Sequence, residues 1–166
     1  MLSYNHCIAE FDEDRINRAI QLKSECSETF GSEKLNSPNG KILLMDDEVM
    51  IRSIAGLMLL RLGYVSEVSQ EGSEAINIYQ QAMNSECPFD AVILDLSVKV
   101  GLGGLDTIKA LKAIDPQVKA IISSGFSNDP VMMRFKEYGF HGSLPKPYRM
   151  EDIKDKLHKL TALQHR

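Results

Sequence analysis

Ala91-Val92-Ile93-Leu94-Asp95 is the stretch that decides how the rest of the chain is read. It is a short apolar run, with Pro88 and Asp90 before it and the glycines at 101, 103 and 104 after it, and so reads as a buried strand. The run ends in a carboxylate. A strand-end acid is ordinarily just the point where the chain meets water, but Lys41-Ile42-Leu43-Leu44-Met45-Asp46-Asp47 ends in the same way. Two neighbouring parallel strands with such endings would bring three carboxylates to one edge of a sheet. Two carboxylates about 4 Å apart repel by roughly 4 kcal/mol at an effective dielectric of ~20. That is comparable to a large part of a domain's net stability, so the edge requires a counter-charge.

Outward from these two runs, strand-like and helix-like stretches alternate. Strand Lys41–Met45 leads to a helix over about 49–62 with an apolar stripe of Ile51, Ile54, Ala55, Met58, Leu59 and Leu62, closed by Gly63. A strand at Tyr64–Val68 precedes a helix over about 72–83 that turns Ala75, Ile76, Tyr79 and Met83 inward. After the central strand come a glycine-rich loop and a helix over about 105–114, broken at Asp115-Pro116. Strand Lys119–Ser123 precedes a short helix over about 130–138, with Pro130 suited to its first turn. A last strand at Gly142–Leu144 runs into Pro145-Lys146-Pro147, and a helix over about 150–163 follows. Five β-then-α units imply an α/β fold, a doubly wound parallel sheet with right-handed crossovers. Ligands in that architecture sit beyond the carboxyl ends of the strands.

Composition narrows the function classes. The chain has 166 residues, enough for one domain with a short appendage, and a net charge of −4 that argues against nucleic acid or an anionic membrane as partner. Three cysteines, Cys7, Cys26 and Cys87, form no CxxC pair, which points to a reducing cytoplasm. No apolar run approaches the roughly 18 to 20 residues of a membrane span, and the first residues lack an export pattern. Residues 1–39 differ from the rest. Ile16, Ala19, Ile20, Leu22, Cys26 and Phe30 have helix-like spacing, and residues 31–40 have linker composition. The expected organisation is an N-terminal helical extension over 1–39 and a domain over 40–166. The extension packs on that domain, pairs with another copy in a homodimer, or tethers the chain to a larger assembly.

The strand ends read, in order, Asp46-Asp47-Glu48, Asp95-Leu96-Ser97, Ser123-Ser124-Gly125 and Lys146. Taken singly, these are a helix cap, a strand-end acid, a turn and a solvated loop lysine. Together their chemistries need one another. An oxygen-only site with open positions suits Mg²⁺, which binds a few carboxylates and leaves room for a phosphoryl group. The ion and Lys146 can neutralise phosphoryl oxygens while Asp95 attacks in line, and the Ser124 hydroxyl is placed to bond a phosphoryl oxygen afterwards.

Residues 41 to about 163 resemble a receiver domain of two-component response regulators. The matching motifs are MDDE at 45–48, ILDLS at 93–97, SSGF at 123–126 and LPKPY at 144–148. The tract from Asp95 to Pro147 is similar to receivers attached to hybrid sensor histidine kinases. The resemblance implies a flavodoxin-like five-stranded sheet of order 2-1-3-4-5. It implies Asp46 and Asp47 as Mg²⁺ ligands, Asp95 as phosphoacceptor and further ligand, and the Ser97 backbone carbonyl as another. Ser124 becomes the switch hydroxyl and Lys146 the phosphate-binding lysine. The phosphoryl donor is then a phosphohistidine on a sensor kinase or a histidine phosphotransfer protein. With little chain after Leu163, the expected output is a change in affinity for a downstream protein rather than DNA binding or catalysis.

Three positions depart from the family pattern. Lys99 stands where proline is usual in the loop after the acceptor, Ser143 stands at the aromatic switch position, and Phe126 lies two residues after the switch hydroxyl. A haloacid-dehalogenase-like phosphatase would need an acid at Ser97 and later metal ligands. A flavodoxin would need a phosphate cradle where Asp46-Asp47-Glu48 repels one. A pseudo-receiver serving only as a binding module would have no need of the complete set of acceptor-site side chains.

Overall fold

The computed structural model describes residues 39–161. The helical extension expected over 1–39 therefore lies outside the described residues apart from Asn39, as do Cys7 and Cys26. In chain order the elements are β1 (Lys41–Met45), α1 (Val49–Arg61), β2 (Val65–Ser69), α2 (Gly72–Met83), β3 (Ala91–Asp95) and α3 (Gly104–Ile114). They continue with β4 (Ala120–Ser124), α4 (Pro130–Met133), a 3-10 turn (Phe135–Tyr138), β5 (Gly142–Pro145) and α5 (Met150–Thr161). Among the described residues no helix is long and apolar enough to cross a membrane.

All five strands are parallel, in the order β2-β1-β3-β4-β5. Strand alternation divides the core between two faces. Leu43, Met45, Val92, Leu94, Ala120 and Ile122 pack with Ala75 and Tyr79 of α2 and Ile108 and Leu111 of α3. Ile42, Leu44, Ile93, Ile121 and Leu144 pack with Ala55 and Leu59 of α1 and Ile153 and Leu157 of α5. Burying a side chain of this size contributes about 1.5–3 kcal/mol, so the two layers hold the sheet as a rigid platform. Continuing the alternation past the apolar residues puts Asp46 on the side of Leu44, Asp95 on that of Ile93 and Ser123 on that of Ile121. Ser124 falls on the opposite side, with Ile122.

The helix starts are chemically specified. The Glu71 carboxylate accepts the amides of Ser73 and Glu74 at the head of α2. It also accepts the Leu102 amide at 3.2 Å, which ties the loop after β3 to α2. Asp129 caps α4 through the Val131 amide at 2.8 Å. The head of α3 lies against the acid edge. A Cβ on Gly104 would come within 2.7 Å of the Asp95 carbonyl oxygen and 2.9 Å of Ile122 Cδ1. Gly104→Ala must therefore push α3 away from β3. We expect a loss of about 1–3 kcal/mol in urea unfolding; wild-type stability would show that the helix can shift freely.

Several element boundaries differ from the sequence expectation. β2 and β4 each begin one residue later, so Ser124 is part of its strand. The helix expected over 130–138 is a single α-turn followed by a 3-10 turn. The i,i+4 ladder stops at Arg134, whose backbone leaves helical geometry, and the Glu137 amide bonds back to Arg134 only three residues away. Met83 is 41% exposed, and Ala82 takes the inward place expected of it. Ile54, expected in the α1 stripe, is 37% exposed.

Candidate functional site

β1 delivers Asp46 to the sheet edge fully buried. Its Oδ1 accepts the Glu48 amide at 3.0 Å, and its carbonyl accepts a hydrogen bond from Arg52 Nη1 at 2.6 Å, so the turn into α1 is held from both sides. β3 delivers Asp95 beside it. The Lys146 ammonium, arriving from β5, lies 2.7 Å from Asp46 Oδ2 and 3.1 Å from Asp95 Oδ1. These side chains are 11%, 0% and 4% exposed for Lys146, Asp46 and Asp95, so the cluster is largely shielded from solvent. The Lys146–Pro147 peptide is cis.

Asp46, Asp47 and Glu48 place one carboxylate oxygen each within 4.8 Å of one another. Asp47 is half-buried and accepts the Lys99 amide at 3.3 Å. Four carboxylates thus crowd an edge that Lys146 neutralises only in part. Asp46 Oδ2, though close to the ammonium, receives no well-aligned hydrogen bond. The contact is an ion pair, and a buried acceptor remains under-satisfied. An oxygen-rich, under-neutralised edge of this kind fits a hard divalent cation such as Mg²⁺.

Burial pushes the Asp95 carboxyl above its ordinary value, against the opposing pull of Lys146 and the Ser97 amide. Burial alone would lower Lys146, but its close contact with Asp46 and the charge of Asp95 prevail and raise it. The signs for stability follow by linkage. Asp95 contributes fully below the unfolded value of 3.8, and that contribution is lost as pH rises through its higher folded value. The stability difference between wild type and Asp95→Asn, measured by thermal melts in EDTA, should therefore shift against wild type as pH climbs above 3.8. A shift in favour of wild type would contradict the buried, crowded setting.

Of the residues singled out from sequence, Asp46, Asp95 and Lys146 meet directly and Asp47 joins through Asp46. Ser97 is exposed, and its backbone supports Asp95. The Ser124 carbonyl accepts the Lys146 amide at 2.8 Å, while its buried hydroxyl accepts the Phe126 amide at 3.1 Å. Glu48, which the sequence groups with Asp46 and Asp47 without giving it a role, joins the acidic cluster. One contact has no counterpart in the sequence reading. Ser123 Oγ lies 2.8 Å from Tyr148 Oη. Strand alternation placing 123 on the face of 95 was the available signal for that bond.

A parallel sheet wound 2-1-3-4-5, with an acid cluster and a lysine at its carboxyl edge, defines the flavodoxin-like class. The chain belongs to the response regulator receiver domain family, whose sequence profile matches residues 42–158. It is 29% identical over 126 residues to sporulation initiation phosphotransferase F of Bacillus subtilis, covering 76% of this chain and 97% of that protein. A receiver domain protein from Clostridium thermocellum superposes with a TM-score of 0.66 at 26% identity, covering 75% of this chain and 96% of that one. The receiver of a sensor histidine kinase from Pseudomonas aeruginosa, solved with magnesium in its active-site cleft, gives 0.63 at 21% identity, with coverages of 74% and 98%. That likeness concerns the fold. The chain is a receiver domain of two-component and phosphorelay signalling. Receivers are regulatory phosphoacceptors, and Asp46, Asp47 and Glu48 form an acidic group whose oxygens could hold a metal ion.

Proposed function

We propose that Asp95 is the phosphoacceptor, that residues 40–166 form the receiver unit, and that Asp46, Asp47, Asp95 and the Ser97 carbonyl hold Mg²⁺. The observation that carries this is the Lys146 ammonium bridging Asp46 and Asp95 at the carboxyl edge of the sheet. A bound Mg²⁺ supplies charge neutralisation for phosphoryl oxygens and offsets the repulsion among the carboxylates. Asp95 Oδ attacks phosphorus, the P–N bond of a phosphohistidine breaks, and its electron pair returns to the imidazole nitrogen. Lys146 holds a phosphoryl oxygen, and Ser124 Oγ closes on another afterwards.

The phosphoryl donor in this proposal is a sensor histidine kinase or a histidine phosphotransfer protein. Val49, Met50, Val100 and Phe126 are exposed apolar side chains on segments next to the acidic edge, and they suit protein docking there. Output is a changed affinity for a downstream protein, and the chain catalyses only its own phosphorylation and dephosphorylation. A cytoplasmic setting is part of the proposal, since an odd set of cysteines without CxxC spacing suits a reducing compartment.

The test is covalent labelling of the full chain by acetyl phosphate. Labelling that requires Mg²⁺ and stops in EDTA is expected; labelling indifferent to the ion contradicts the metal assignment. Turnover of a phosphomonoester would favour the phosphatase instead. Phe126 is 74% exposed and offers no hydrogen bond to orient an attacking water. Phe126→Gln should therefore speed loss of the phosphoryl group by about tenfold, less than the ~10²–10⁴-fold of a full general base because an amide can orient a water but not deprotonate it. Unchanged or slower decay of the label would contradict that role.

A further inference from the structure

The hydroxyls of Ser123 and Tyr148 form a partly buried pair that the acceptor chemistry leaves unused. Their oxygens are 2.8 Å apart, Ser123 is fully buried, and the Tyr148 ring packs against the layer containing Leu144, Ile153 and Leu157. Each member sits beside a part of the site. Ser123 pairs with Asp95 in the sheet register, and its carbonyl accepts the Leu96 amide at 2.8 Å. Tyr148 follows Lys146 by two residues and precedes the first residue of α5 by two. Burial raises the phenol's pKa, the hydrogen bond with Ser123 opposes that, and the charges of Asp46 and Asp95 add to the rise, so this hydroxyl lies within electrostatic reach of the acid pair.

Position 143, three before Lys146, carries a half-buried serine in place of a ring. It has no aromatic side chain to rotate inward. We propose that the Ser123–Tyr148 hydroxyl pair links the acceptor pocket to the β5–α5 segment, with Tyr148 as the positioning residue. This rests on Asp95 being the phosphoacceptor.

The geometry supplies the movement. Ser124 lies on the Ile122 side of β4 and its hydroxyl is engaged by the Phe126 amide, whereas Asp95 lies on the Ile93 side. For Ser124 Oγ to reach a phosphoryl group on Asp95, the end of β4 must turn. Ser123, the preceding residue, turns with it, and its bond to Tyr148 carries the displacement to Arg149. The Arg149 carbonyl accepts the Ile153 amide at 3.2 Å in the first turn of α5.

Wild type, Tyr148→Phe, Ser123→Ala and the double variant should be labelled as full chains with acetyl phosphate and Mg²⁺. Amide chemical shifts of residues 150–161 are then compared before and after labelling. All four chains should take the label. The shift response of α5 should fall by half or more in either single variant, with no further loss in the double variant, because both substitutions cut one link. A labelled Tyr148→Phe chain with the full wild-type response in α5 overturns the link alone, as does a double variant that loses the sum of the singles. A wild type that takes no label overturns the phosphoacceptor assignment and the link with it.

Discussion

Asp95→Asn should reduce labelling by acetyl phosphate by on the order of 100-fold or more, to background, while the protein remains folded. The amide keeps the size of the side chain but cannot act as the nucleophile. Burial together with the charge of Asp46 already disfavours the ionised form of Asp95. Neutralising it therefore relieves repulsion, and at neutral pH in EDTA the variant should melt no lower than wild type. Loss of label accompanied by loss of the folded state would undo this reasoning, because the carboxylate would then be a structural support. Retention of label on the folded variant would move the acceptor to another residue.

The opposite substitution has the opposite effect on stability. Lys146→Met keeps the aliphatic stem but removes the ammonium that lies 2.7 Å from Asp46 and 3.1 Å from Asp95. Removing one partner of a buried ion pair costs about 3–5 kcal/mol, because the remaining charges are left uncompensated in a low dielectric. Lys146 retains some solvent access, so the lower part of that range applies, about 3 kcal/mol by urea denaturation in EDTA. Millimolar Mg²⁺ should restore more stability to this variant than to wild type, since the cation then supplies the missing positive charge. Equal stabilisation of both proteins would show that Lys146 and the ion do not share one electrostatic task.

The readable parts of this chain share a physical cause. β1 and β3 are short apolar runs flanked by polar residues, so their boundaries and their two-sided burial follow from composition. Once they are neighbours, alternation fixes which face Asp46 and Asp95 take, and Lys146 joins them from the end of β5. β2 and β4 each run one residue past the apolar signal because each ends in serine, and Ser69 and Ser124 carry no hydrophobic signal although both are buried. The break at Arg134 was hidden because Val131, Met132 and Phe135 have spacing that suits either helix type. Met132 is buried while Met133 is 71% exposed, a division that periodicity over so short a segment cannot make. The Tyr148–Ser123 bond joins residues 25 positions apart, and its formation depends on how β5 and α5 settle against β4.

The most direct test of the account is to locate the phosphoryl group itself. The full chain is labelled with acetyl phosphate and Mg²⁺, the acyl phosphate is reduced with borohydride to homoserine, and the peptides are mapped by mass spectrometry. Homoserine at position 95, absent when EDTA is present, is the predicted result. Homoserine at position 46 or 47 with Asp95 intact, or the same yield without the metal, would contradict it.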